Sequence, residues 1–243
     1  MPLCLTAQGK FSVNRQGTIA VIPTSWYDGI MIPNQPFRPA PTSTRDKLLE
    51  AGVKLIRRQG FAGTSVDQLC GEAGVTKGAF FHHFASKEAL GVALAGYWSS
   101  STSAFFAAAP YHHNPDPAER VLGYIDLRIE LIAGPAEGFS CVAGTMVQEA
   151  FRSSDAIRAA CNSSILGNAA ALEDDLAAAL AQSGAREMTA SSLARHIQAV
   201  IQGAFVLAKA EGDVGAAATA REHLLHLRRY FEMLFAKEKT HAD

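Results

Sequence analysis

Thr76, Lys77 and Gly78 stand together in a group whose residue types can hold an anion. A threonine at a helix N-cap leaves backbone N–H groups and the positive end of the helix dipole facing outward, a seat for phosphate. Lys77 adds a donor that reaches either a phosphate oxygen or a guanine edge. Gly78 has no side chain to keep another backbone away. His82 and His83 follow, but adjacent helical residues point about 100° apart, so they do not form a metal-binding face. Cys4, Cys70, Cys141 and Cys161 are too scattered for a disulfide framework or a metal knuckle. Neither G-x-S-x-G nor H-E-x-x-H occurs, nor a glycine-rich loop after a strand. Of the other polar clusters, Tyr111-His112-His113 reads as loop and Glu173-Asp174-Asp175 as a solvated helix face. No catalytic residue, metal or cofactor is expected, which sets the chain apart from enzymes.

The elements that must position this group are helical. Ser65 and Gln68 fit a capping box opening a short helix that ends at Gly74, and Thr76 caps the next through Phe84. Two helices joined through Ala73-Gly74-Val75 make a helix-turn-helix signature, although the turn alone also fits an ordinary helical corner. A helix starting near residues 42–44 and ending at Gly60 precedes them, with Leu48, Leu49, Gly52, Leu55 and Ile56 on one face. Gly52 is an oddity there, since glycine costs about 1 kcal/mol relative to alanine inside a helix. Ser86 caps a fourth helix through Leu90, Val92, Leu94 and Trp98. Further periodic stretches cover 120–132, 141–151, 155–184, 193–208 and 224–235, and nothing reads as a sheet. The class is all-α: an N-terminal three-helix helix-turn-helix unit followed by a larger helical domain.

Composition sets the boundaries. Residues 1–43 hold six of the ten prolines and little periodicity, predicting a mostly disordered extension; Met31 offers an alternative start that would make 1–30 dispensable. Residues 44–97 form the helix-turn-helix domain and 98–243 the second domain. Net charge is +2, +2 and −5 over these three segments, a mildly basic front on an acidic body. No apolar run approaches the ~18 residues of a membrane-spanning helix, and the first ten residues do not read as a secretory leader. A cytoplasmic protein is expected.

Gly60-Phe61-Ala62-Gly63-Thr64-Ser65-Val66, the run from Ala73 to Phe84, and Ser86-Lys87-Glu88-Ala89-Leu90 closely resemble the DNA-binding domain of TetR-family transcriptional regulators, without gaps over about 50 residues, 45–95. The resemblance implies that the helix after Gly74 enters the major groove. It makes Lys87 a phosphate-binding lysine, Thr64 and Ser65 hydroxyl contacts, and His83 a phosphate contact beside His82. Phe80 and Phe84 belong to the core. Phe81 stands where the family most often has tyrosine, keeping a ring for a thymine methyl but losing a hydroxyl for phosphate. The implied site is thus Thr64, Ser65, Thr76, Lys77, Gly78, Phe81, His82, His83 and Lys87.

The same resemblance implies a C-terminal domain that binds a small molecule and forms a homodimer through its last two helices, 193–208 and 224–235. The partners would be a palindromic double-stranded DNA operator and an unidentified effector, with no membrane. Trp98, Phe105, Tyr124, Cys141, Met146 and Phe151 are the large or soft side chains on helices that would surround the effector. Cys141 sits where an electrophile-sensing subset of the family carries a reactive cysteine, with no basic neighbour visible in sequence to lower its pKa. A redox-sensing repressor of the same fold is therefore an alternative, and a helical adaptor that binds no DNA is another.

Overall fold

The computed structural model describes residues 10–13, 19–22, 43–185 and 187–236. Residues 1–9, 14–18 and 23–42, most of the expected extension, lie outside the described residues, as does the alternative start at Met31. Two strands, β1 (Lys10–Val13) and β2 (Ile19–Ile22), pair antiparallel with Lys10 opposite Ile22 and Val13 opposite Ile19. Val13, Ile19, Val21 and Ile22 are β-branched and suit a ribbon, a local signal that the proline count of the segment obscured.

The other elements of the described residues are helices: α1 (Thr44–Gln59), α2 (Val66–Ala73), α3 (Lys77–His83), α4 (Lys87–Ala107), α5 (Pro117–Glu130), α6 (Ala136–Phe139), α7 (Val142–Ala150), α8 (Asp155–Ala170), α9 (Glu173–Ser183), α10 (Ala190–Glu211) and α11 (Ala216–Phe235), with a short 3-10 turn at Pro110–His113. The starts of α1 to α4 are set by short polar side chains. Ser43, Ser65, Thr76 and Ser86 each accept the backbone N–H three residues on, and Ser43 and Ser65 complete capping boxes with Asp46 and Gln68. The stretch 155–184 is two helices rather than one. The chain turns at Ala171 and Leu172, both still in right-handed conformation, so the apolar spacing gives no warning of the break.

Two cores result. Ile125, Leu176, Ile197, Ala204, Leu224 and Phe231 belong to one, built mainly by α5, α9, α10 and α11. In the other, Leu49, Leu69, Phe80 and Leu94 of α1–α4 pack with Met146 of α7 and Ile157 of α8. The helix-turn-helix unit is thus closed by α7 and α8. Helix α4 runs unbroken through residues 97 and 98, so the boundary expected there falls inside a helix.

Gly52 has a packing reason. A side chain at 52 would start 3.2 Å from Leu94 Cδ2, where α1 crosses α4. Gly91 is tighter: a Cβ there would lie 2.9 Å from Phe61 Cε2 and 3.0 Å from Ile157 Cδ1. Gly91→Ala should therefore destabilise the fold by about 1–3 kcal/mol through overpacking. A urea unfolding midpoint equal to that of the parent would show that the Phe61 ring yields instead.

Candidate nucleic-acid interface

The turn between α2 and α3 is built by its glycine. Gly74 adopts φ 64°, ψ 36°; its N–H donates to Gly71 O and the Val75 N–H to Cys70 O at 3.0 Å, closing α2 in a Schellman motif. Val75 is half-buried against the core, as a plug between the two helices. Phe80 and Phe84 are buried at 0% and 4% exposure, which rotates the opposite face of α3 outward. On that face Thr76, Lys77, Gly78, Phe81 and His82 are exposed and His83 is half-buried. Phe81 is 52% exposed and meets Phe80 edge-on at 5.2 Å. Ser65 is exposed, with its Oγ accepting Gln68 N–H.

Two of the expected contacts are placed otherwise. Thr64 is 2% exposed and its hydroxyl donates to Gly60 O at 2.6 Å, so it closes the α1–α2 loop and presents no hydroxyl outward. Lys87 is turned into the same loop. Its ammonium donates to Phe61 O and Thr64 O at 2.8 Å and to Ala62 O at 3.4 Å, and lies 4.6 Å from the Phe61 ring. Burial pushes its pKa down, opposed by the Glu149 carboxylate. Lys87 therefore shapes the element that carries the outward face.

Two residues were not singled out by sequence. Asp67 of α2 pairs with Lys77 at 2.9 Å, and this hydrogen bond raises the Lys77 pKa. Arg45 in the first turn of α1 is exposed and lies over Phe84 at 5.4 Å, bringing a cation to the end of α3. Both depend on how α1, α2 and α3 pack, which no local motif encodes.

Two cavities among the described residues lie along α7 and at the end of α1. The first, of about 220 Å³, runs along α7 and α10, with Ser140, Cys141, Gln202, Phe205 and Val206 in its wall. The second, of about 390 Å³, reaches Arg57, Arg58 and Gly60 at the end of α1. Thr145, Glu149 and Lys209 line both. Glu149 Oε2 accepts the Ala62 N–H at 2.6 Å, and Lys209 Nζ donates to Thr145 Oγ1 at 2.7 Å. Lys209 is exposed as a whole side chain, yet burial of its ammonium lowers the pKa, with Glu149 and Cys141 opposing.

Of the six expected effector contacts, Cys141 lines the first of these two cavities and the other five line neither. Trp98 and Met146 are buried in the core around α4 and α7. Tyr124 is buried in the other core, its hydroxyl bonded to Arg128 and Gln198, and Phe105 packs on that core from the edge. Phe151 is 52% exposed. Trp98, Tyr124 and Met146 serve as core here, while Phe205 and Val206 give the first cavity its apolar wall. Cys141 caps α7, its Sγ accepting Gly144 N–H at 3.3 Å, and Lys209 is the basic neighbour that the local sequence did not reveal. The other described thiols are buried, and burial pushes Cys161 up to about 12.

Helices α10 and α11 pack on each other and leave apolar side chains exposed: Val206 and Leu207 on one, Leu225 and Met233 on the other. No helix among the described residues is long and apolar enough to cross a membrane.

A model of the bacterial TetR-family regulatory proteins matches residues 48–94, and one of the C-terminal domain of LmrA/YxaF-like transcriptional regulators matches residues 117–223. The chain belongs to the TetR family of transcriptional regulators. It is 29% identical over 119 residues to the transcriptional repressor DhaR of Mycobacterium sp. strain GP1, covering 49% of this chain and 58% of DhaR. It thus spans little more than half of that relative. The regulator LmrA of Bacillus subtilis is 27% identical over 172 residues, 68% of this chain and 85% of LmrA. A TetR-family regulator from Agrobacterium tumefaciens has a solved structure that superposes with a TM-score of 0.68 at 25% identity, over 79% of this chain and 98% of its own. The helix-turn-helix of this chain, α2 and α3, lies within the residues matched by the TetR-family model.

Asp67 places a carboxylate beside the lysine expected to meet DNA. Asp67→Asn should raise DNA affinity on the order of threefold to tenfold at ~0.1 M salt, by freeing Lys77 and removing a charge that phosphates repel. Unchanged binding in a fluorescence-anisotropy titration would place Lys77 away from the DNA. Lys87→Met should lower unfolding stability by about 1–3 kcal/mol, because three loop carbonyls lose a charged donor. An unchanged denaturant midpoint, with DNA affinity falling solely through the salt slope, would return Lys87 to a phosphate contact.

Proposed function

We propose that the protein is a cytoplasmic, ligand-responsive repressor that binds a palindromic operator as a homodimer and is released by a small-molecule inducer. Residues 44–97 form the reading part and 98–243 the effector and dimerisation part. The observation that carries the reading is the outward face of α3, where Lys77, Gly78 and Phe81 stand exposed over buried Phe80 and Phe84. Lys77 reads a guanine edge or a phosphate; Phe81 meets a thymine methyl; Ser65, Thr76, His82, His83 and Arg45 flank them toward the backbone. One such head reads too few base pairs, and dimers space two heads by about 34–36 Å. Val206, Leu207, Leu225 and Met233 give α10 and α11 an apolar face suited to a second copy.

A second reading, a thiol-sensing repressor, is favoured by Cys141: half-exposed, on a cavity wall, at a helix N-terminus and within electrostatic reach of Lys209.

The test is selection of bound fragments from genomic DNA, followed by anisotropy on the recovered site. Binding should follow an inverted repeat, and Lys77→Ala should weaken it and relax base preference. Met233→Glu should give monomers by light scattering, with operator affinity lowered at least about tenfold. No enriched fragment together with a monomeric parent would overturn the reading. Release of DNA after alkylation of Cys141, lost in Cys141→Ser, would favour the thiol reading.

A further inference from the structure

We propose that the cavity at the start of α7 binds a small carboxylate with a compact, single-ring-sized apolar body, and that this anion is the effector. The inference rests on the regulator reading above and adds the chemical class of its ligand.

It begins from Ser140. This residue is 1% exposed and lies on the cavity wall, and its hydroxyl has no hydrogen-bond partner among the described residues. Buried hydroxyls are nearly always satisfied, so a missing partner points to a group that arrives from outside. Other polar groups line the same wall. Lys209 Nζ uses one of its three N–H bonds on Thr145 Oγ1 and keeps two. The first turn of α7 faces the same space through Cys141 and Gly144, and a side chain at 144 would collide with Gln202 Oε1. Thr145 Oγ1 itself donates to Cys141 O at 3.0 Å, and Gln148 Nε2 to Gly144 O at 2.8 Å. Glu149 supplies the carboxylate on the wall, with one oxygen already taken by the Ala62 N–H. The Lys209 ammonium on this wall keeps two donors and calls for an acceptor, and an anion answers its charge as Glu149 already does in part.

Size and the remaining wall select the body. The cavity of about 220 Å³ exceeds the 150 Å³ or so that holds a benzene, so it takes one ring plus a carboxylate. Phe205 and Val206 supply the apolar side. A water alone would satisfy Ser140 but leave that side wet.

The position also links occupancy to DNA. Glu149 lines both cavities and grips Ala62 in the α1–α2 loop that Lys87 holds from the other side. An anion next to Glu149 competes for Lys209 and repels the carboxylate, loosening the loop that carries α2.

The experiment is calorimetric titration of the full chain with benzoate and with its neutral counterpart benzamide, alongside anisotropy of operator DNA. Benzoate should bind saturably with a Kd below about 1 mM. Benzamide should bind at least about tenfold more weakly, because the neutral amide cannot answer the Lys209 charge. Ser140→Ala and Lys209→Met should each weaken benzoate by at least about tenfold, and benzoate should lower operator affinity. Equal affinity for the two probes, or no benzoate binding, overturns the proposal; so does a folded Ser140→Ala that binds like the parent. If either variant fails to fold, the benzoate-to-benzamide ratio on the parent decides. A chain that binds operator but ignores benzoate removes this inference alone. A chain that selects no DNA removes the regulator reading, while the benzoate titration still decides the cavity.

Discussion

The α1–α2 loop, residues 60–64, is held by two opposite charges, and the placement of the DNA-binding helices depends on that pair. From one side the Lys87 ammonium gathers the carbonyls of Phe61, Ala62 and Thr64. From the other, the Glu149 carboxylate takes the Ala62 N–H. The backbone groups of a tight loop need partners once they leave water, and charged partners give the stronger bonds. Within the loop, Thr64 Oγ1 closes onto Gly60 O and Gln59 Nε2 onto Gly63 O. The result fixes where α1 ends and α2 starts, and α3 follows through the Gly74 turn.

The two charges come from different parts of the chain. Lys87 opens α4, and Glu149 lies near the end of α7. Glu88, next to Lys87, accepts the hydroxyl of Ser154, which also caps α8. The helix-turn-helix unit is therefore tied to α7 and α8 by polar bonds at its rim and by shared packing of Leu49, Leu94, Met146 and Ile157 inside. Interiors packed at this density transmit displacement rather than absorb it.

Helix α7 divides its faces between these tasks. Val142, Ala143, Met146 and Ala150 are buried in the core of the DNA-binding unit. Cys141, Gly144, Thr145, Gln148 and Glu149 face the cavity. The cavity thus lies against a helix whose other side packs in the core of the helix-turn-helix unit. Lys77 and Asp67 add a local constraint at the outer surface, since the cation on α3 is already paired when no DNA is present.

The sequence by itself determined the helices of the N-terminal unit and the family, though not the β1–β2 ribbon or the break between α8 and α9. Side-chain caps at Ser65, Thr76 and Ser86, glycine stops at 60 and 74, and apolar spacing are local signals, and local signals decide where helices start and stop. The burial of Phe80 and Phe84 followed from their spacing, and the outward place of Phe81 from the family resemblance. Tertiary structure decided what depends on residues far apart in the chain. Lys87 faces carbonyls some 23–26 positions away, and Thr64 spends its hydroxyl inward, so neither motif match settled its role. The cavity joins α7 to Lys209 across 64 positions, and size alone misled: Trp98, Tyr124 and Met146 fill cores, while Ser140, Thr145 and Glu149 line the space. Apolar bulk is drawn to the nearest core by its own burial, whereas a polar residue lines a cavity only where packing happens to leave one, and packing is a property of the whole fold.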